Sequence, residues 1–293
     1  MGYELWASPV TGYRRHGTRL EDFNAVLGER IKIKDIFEPL KCCQADAPAD
    51  EMGEALRFYD FDLAGVRKTK DGPVIGFVTR ESLNFGSVAD HLIGLDEATI
   101  ISSEGTIREL MLALERAPFV FVSSDGDLNA IATRADLNKP MIRVYLFGLI
   151  SLLEIHLSFW ISRIFASERW EEMLTPGRID LARSIQRQRA QKGQSLSLLQ
   201  CLQLCDKRTL IADSMELRNL LQLGSKRSTE RLLRSVEDLR NSIAHSQYDL
   251  VSGGSWEELI TLAGSIQETV ALSDQLVENR AVELSSNHES TLW

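Results

Sequence analysis

The chain has 293 residues, room for two domains, and its 44% apolar and 26% charged residues are those of an ordinary globular protein. A net charge of −9 argues against a general coat for duplex DNA, though it leaves room for local basic patches. Four cysteines are too few for a disulfide framework: Cys42 and Cys43 are adjacent, and Cys201 and Cys205 lie one helical turn apart with no second Cys or His pair nearby for zinc. The thiols are expected to be reduced, and the protein cytoplasmic and without a metal.

Residues 1–29 form an irregular arm with an Arg14–Arg15–His16 cluster, no apolar signal core, and a short helix expected near Leu20 to Leu27. Two similar units follow. The first runs from IKIKDIFEPL through a helix near Asp50 to Tyr59, then LAGVRK and GPVIGFVTRESL. The second runs from SVADHLIGL through ATIIS, a helix near Thr106 to Glu115, and PFVFVSSDGDLNAIATRADL. Each ends in strand, turn (Lys70–Asp71–Gly72; Asp125–Gly126), strand, and then Thr-Arg-x-x-Leu opening a helix. Residues 76–83 align with residues 130–137, an internal repeat of about 55 residues.

In these residues, roughly 30–140, the chain resembles a tandem pair of CBS domains, or Bateman module. The most specific element is the hydrophobic-x-Thr-x-x-Asp ending. The resemblance implies two β-α-β-β-α-type repeats that bind an adenine nucleotide, with Asp136 on the ribose hydroxyls, Thr133 near phosphate and Arg134 as a phosphate partner. In the first repeat Thr79 is present but Ser82 stands in place of Asp, so one site is expected to be the better. Elementary chemistry agrees, since a helix start accepts an anion and a carboxylate one turn on suits a vicinal diol. The alternative is that both sets are helix-capping boxes.

From Lys139 onward only helices are expected, a bundle of four to six. Met141 to Phe165 is apolar enough for a membrane span, but Arg143, Glu154, His156 and Arg163 are costly in lipid, so a buried core helix is the better reading. Glu154 and His156 either face a site or satisfy each other or the backbone in a core. Lys139–Pro140 leaves almost no linker before this helix, a stiff joint able to carry a twist. Pro176 opens an Arg-rich helix to Ala190; Leu196 to Asp213 and Met215 to Leu223 are leucine-rich helices, and Gly224 is a stop. Ser228 to Ser246 is amphipathic: Leu232, Leu233, Val236, Leu239, Ile243 and Ala244 form one stripe, with Ser228 as N-cap. Ser252 to Ser255 breaks the pattern, Trp256 to Asn279 is a last helix, and residues 281–293 are a loose tail.

The polar side of the Ser228 helix carries Arg240, Asn241 and His245. Asn241 and His245 are one turn apart on one face, and Arg240 lies about 140° round from His245, within reach of a long side chain. No other Arg in the chain has a His five, six or seven residues after it. In an all-helical setting RNSIAH resembles the Arg-polar-x(3–5)-His mark of the HEPN superfamily, over about residues 141–280. That resemblance implies a homodimeric, metal-independent endoribonuclease of the toxin or defence type, cleaving single-stranded RNA with no catalytic cofactor. His245 would be general base or acid, Arg240 would stabilise the phosphorane, and Asn241 would orient His245 or hold a phosphate oxygen. Arg183, Arg187, Lys226, Arg227, Arg231 and Arg234 offer an RNA path, or else a solvated helix face. The alternatives are His245 as a helix C-terminal cap and a non-catalytic, adenine-nucleotide-sensing dimeric scaffold.

Overall fold

The computed structural model describes residues 18–251 and 254–292, without the side chains of 166–169 and 280–292; Arg14–Arg15–His16 and Ser252–Gly253 lie outside it. A short helix α1 (Leu20–Phe23) is continued by a wider turn, Asn24–Gly28. Two compact units follow from the contacts: residues 28–142, and a second unit comprising residues 18–27 and the chain from Arg143.

The first unit is α+β. Strands β1 (Glu38–Pro39) and β2 (Cys42–Gln44) lead to helix α2 (Ala49–Phe58) and the hairpin β3 (Leu63–Arg67) and β4 (Val74–Thr79). The order then repeats: β5 (Ile93–Gly94), β6 (Ile100–Ser102), α3 (Ile107–Arg116), β7 (Phe119–Ser124) and β8 (Asp127–Thr133). The two sheets run β2-β3-β4-β5 and β1-β8-β7-β6, so each repeat lends its first strand to the other's sheet. Both hairpins end on the threonine of Thr-Arg-x-x-Leu, with Leu63 opposite Thr79 and Phe119 opposite Thr133. Both carry a bulge at the same place, Val66/Arg67 and Val122/Ser123. Asp125 and Gly126 take positive φ (54° and 90°), the sense that a tight hairpin turn needs to follow the strand twist.

The helix expected after each hairpin is shorter than the sequence suggests. After β8 it is a single 3-10 segment, Arg134–Asn138, and after β4 it is only a turn. The physical reason is that Asp136 and Ser82 bond back to the threonine three residues before them, which tightens the backbone. One core packs Ala49 and Leu56 of α2 against Ala64, Val66 and Val78. A second joins the two sheets through Leu63, Phe77 and Phe121, with the Phe77 and Phe121 rings 5.2 Å apart. Gly76 is required there, because a Cβ would stand 2.3 Å from the Ile93 carbonyl oxygen on the exchanged strand.

The second unit is helical. Helix α4 (Pro140–Ile164) is long and apolar enough to cross a bilayer by length and composition. It instead buries Tyr145, Leu149, Leu153, Leu157, Trp160 and Ile161 within the protein. Then come α5 (Pro176–Gln191), α6 (Leu204–Asp213), α7 (Met215–Leu220), α8 (Lys226–Ala244) and α9 (Trp256–Leu292). The helix expected from Leu196 is interrupted: Leu199–Cys201 is a 3-10 turn, and α6 starts afresh where Gln203, in extended conformation, receives the Asp206 carboxylate on its N–H. The last helix runs on past Asn279 to Leu292. Gly148 admits α1 to α4, since a Cβ would meet the Phe23 ring at 2.7 Å.

Candidate functional site

Gly224, at φ +77°, ends the preceding turn and Ser225 caps α8, its hydroxyl accepting the Ser228 N–H at 3.1 Å. The cap therefore sits three residues before the expected Ser228. Thr229, Leu233, Val236 and Leu239 form the buried stripe; Leu232 and Ile243 are half-buried, and Ala244, expected inside, is exposed in the last turn. At about 100° per residue, Arg227, Arg231, Arg234, Asn241 and His245 fall within a sector of roughly 80° on the outer side. All but the half-buried Asn241 are exposed.

Arg240 lies outside this sector, about 140° round from His245 and on the side of buried Leu233 and Val236; it is half-buried, and its Nη1 donates to Asn241 Oδ1 at 3.0 Å. His245 occupies the C-cap, its backbone N–H donating to the Asn241 carbonyl at 2.9 Å while its ring is in solvent. The next residue, Ser246, has φ +51°; Ser246 N–H donates to the Ile243 carbonyl and Gln247 N–H to the Ser242 carbonyl, the paired bonds of a Schellman ending. Arg143 of α4 anchors the segment that follows, its Nη2 donating to the carbonyls of Gln247 (2.6 Å) and Tyr248 (3.0 Å). Its role here was missed from sequence, where the only signal was a cation in an apolar helix.

Of the expected RNA path, Arg183 pairs with Glu171 at 2.9 Å, Lys226 pairs with Asp213, and Arg187 is exposed. Arg231 borders an open cleft of about 720 Å³ between α8 and α9, with Leu239, Ser242, Glu258 and Leu262 among its walls. Arg240, Asn241 and His245 are not among the cleft residues; Asn241 and His245 lie on the neighbouring sector of α8, and Arg240 lies further round the helix. Glu154 pairs with buried Lys207 at 2.7 Å, and buried His156 lies 2.6 Å from Ser273 Oγ and 3.2 Å from the Thr18 carbonyl. The two are thus satisfied in the core rather than aimed at a site.

In the first unit, Asp136 Oδ2 accepts both the N–H (2.7 Å) and the hydroxyl (3.0 Å) of Thr133, and Oδ1 receives Lys139 at 2.9 Å. Lys139 also reaches Glu38 and the Ile36 carbonyl, at the first repeat's exchanged strand. Arg134 donates to the carbonyls of Leu114 (2.9 Å) and Glu115 (3.2 Å), closing the end of α3. Ser82 Oγ donates to the Thr79 carbonyl at 2.8 Å. In the second repeat these are the bonds of a capping box, with which a diol ligand would have to exchange; in the first, Ser82 bonds only the Thr79 carbonyl and no helix follows to be capped. Among the described residues, no group of three or more His, Cys, Asp or Glu is placed to hold a metal ion.

No family model and no curated protein matches the chain. Among solved structures it is similar to an uncharacterized conserved protein from Pyrococcus horikoshii, 18% identical over 37% of this chain and 90% of that one, with a TM-score of 0.33. It is similar also to a CBS domain-containing protein of unknown function from Bacillus anthracis (13% identical, 39% and 94% covered, TM-score 0.35). A third is the CBS domain of a bacterial CNNM/CorC family Mg2+ transporter in complex with ATP (15% identical, 39% and 88% covered, TM-score 0.33).

Proposed function

We propose that the chain is a nucleotide-regulated, metal-independent endoribonuclease, with a CBS pair as sensor and a HEPN-type helical unit that cleaves single-stranded RNA as a homodimer. One observation carries the reading: Asn241 and an exposed His245 stand at the end of one helix in line with Arg227, Arg231 and Arg234, and Asn241 accepts a bond from half-buried Arg240, which lies about 140° round the helix from His245. An exposed imidazole beside a guanidinium and an amide suits a phosphodiester, and the arginines upstream give an acidic protein a local track for a polyanion.

The chemistry needs only these groups. His245 accepts the proton of the RNA 2′-hydroxyl, whose oxygen attacks the adjacent phosphorus. Arg240 donates to the charged phosphorane oxygens, and Asn241 holds Arg240 and an oxygen of the phosphate. The P–O5′ bond breaks, and the leaving oxygen takes a proton from an acid, for which the partner copy's imidazole is suited. The products are a 2′,3′-cyclic phosphate and a 5′-hydroxyl. In the sensor, Thr133, Arg134 and Asp136, with Thr79 and Ser82 as the weaker set, would take an adenine nucleotide in exchange for their present partners. The test is cleavage of an unstructured RNA in EDTA with a panel of adenine nucleotides, by the wild type, His245→Ala and Asp136→Ala. A nucleotide that binds without altering the cleavage rate would remove the regulatory half of the proposal.

A second reading, a nucleotide-sensing scaffold without catalysis, is favoured by the C-cap position of His245. It predicts nucleotide binding with no RNA cleavage under any ligand.

A further inference from the structure

The two repeats serve as controls for one another. Their helices correspond residue for residue, Ala49–Phe58 with Ile107–Arg116, and so do the strands that follow, from Leu63 and from Phe119. Between helix and strand the second repeat spends two residues, Ala117–Pro118, and the first spends four, Tyr59–Asp62. The longer corner carries three aromatic rings that the fold leaves in solvent: Phe58 is 82% exposed, Tyr59 65% and Phe61 37%. Phe58 and Tyr59 stand edge to face at 5.0 Å, and Tyr59 stacks on Phe61 at 6.1 Å. The second repeat forms the same helix and hairpin with Arg116, Ala117 and Pro118 at this place, so neither element requires the rings.

The corner is also held in shape. Asp60 adopts φ +55°, and Phe61 N–H donates to the Leu56 carbonyl, which turns the chain sharply off α2. Arg80 and Arg134 occupy equivalent positions in Thr-Arg-x-x-Leu but do different work. Arg134 closes the end of α3, whereas Arg80 donates to Asp60 (3.2 Å) and Asp62 (2.8 Å), the carboxylates on either side of Phe61. Asp60 and Asp62 share half-buried Arg80, and on α2 Glu54 and Glu51 stand in solvent one and two turns before Phe58 on its face, with Asp50 also exposed, against exposed Arg57.

We propose that this corner docks a segment of another protein bearing arginine or lysine beside apolar side chains. Exposed ring faces attract a guanidinium or ammonium, the surplus carboxylates give that cation a counter-charge, and the rings supply the apolar contact that anchors an interface. A second copy docking the same corner would set like charges against each other in a chain already at −9, so the occupant is a different protein. The inference stands apart from the ribonuclease reading.

The test uses the full chain and a fluorescein-labelled dodecapeptide of alternating Arg and Leu, with a Glu-Leu peptide as control, read by anisotropy. The wild type binds the Arg peptide and not the Glu peptide, and binding weakens as salt is raised from 50 to 200 mM. Phe58→Ala/Tyr59→Ala loses at least tenfold in affinity, and Phe58→Lys, which adds a repelling charge, loses more. Leu112→Ala, an exposed apolar change on α3 of the other repeat, binds as the wild type does. Equal binding by wild type and the Phe58/Tyr59 variant overturns the proposal. So does sedimentation showing the wild type as a dimer and that variant as a monomer, which would make the occupant a second copy.

Discussion

In the proposed ribonuclease, Arg240 and His245 divide the work by what each side chain can do with a proton. A guanidinium stays charged and offers a planar fork, so Arg240→Lys keeps the charge but loses the two-point grip, and RNA cleavage should fall about tenfold to a hundredfold. His245→Ala removes proton transfer itself and should cost at least about a hundredfold, read as initial rates on an unstructured RNA. Ser246 holds a left-handed φ that glycine adopts freely. Ser246→Gly should therefore raise the free energy of unfolding by about 0.5–1 kcal/mol in urea, with the helix ending unchanged. Among the cysteines, all free, burial pushes the Cys43 thiol from its ordinary 9.0 up to about 11. The folded thiol keeps its proton while an unfolded one would lose it. The contribution to stability is complete below pH 9 and is lost as pH rises toward 11. Iodoacetamide at pH 8 should accordingly modify exposed Cys42 well before Cys43, followed by peptide mass.

Helix α8 depends on its buried stripe and its cap. Leu233 is fully packed, so Leu233→Ala should destabilise the protein by about 2–5 kcal/mol in urea denaturation, against a few tenths for exposed Arg234→Ala. In the sheet of the first repeat, Gly76→Ala should cost about 1–3 kcal/mol by thrusting a methyl at the Ile93 carbonyl. Elements whose bonds are local were legible in the sequence. The α2 and α3 helices, both hairpins and their turns follow from periodicity and from Asp125–Gly126. What escaped was non-local: β1 and β5 are two residues each, and their partners lie in the other repeat, so no period announces them. The α8 cap was misplaced because Ser225 and Ser228 are equally good capping residues, and only the positive φ of Gly224 decides between them. Asp136 and Arg134 were legible as a motif, but their bonds to Thr133, Lys139 and the end of α3 could not be read from spacing.

For the whole molecule, the repeat sets what the proposed sensor could do. The exchange of first strands makes the two hairpins of residues 28–142 share one core, so a ligand at Thr133 and Asp136, where Lys139 also reaches the first repeat's strand, would bear on both repeats at once. If the proposal holds, Asp136→Ala should abolish any effect of adenine nucleotides on cleavage while leaving the unliganded rate in place, because the proposal assigns Asp136 to the sensor and not to the cleaving set. The proposal that Arg240, Asn241 and His245 cut RNA is tested by incubating the wild-type chain and His245→Ala with one end-labelled unstructured RNA in EDTA and identifying the new ends. It predicts 2′,3′-cyclic phosphate ends from the wild type and at least about a hundredfold less product from the variant. Equal cutting by the two proteins, or no cutting by the wild type with any adenine nucleotide added, would contradict it.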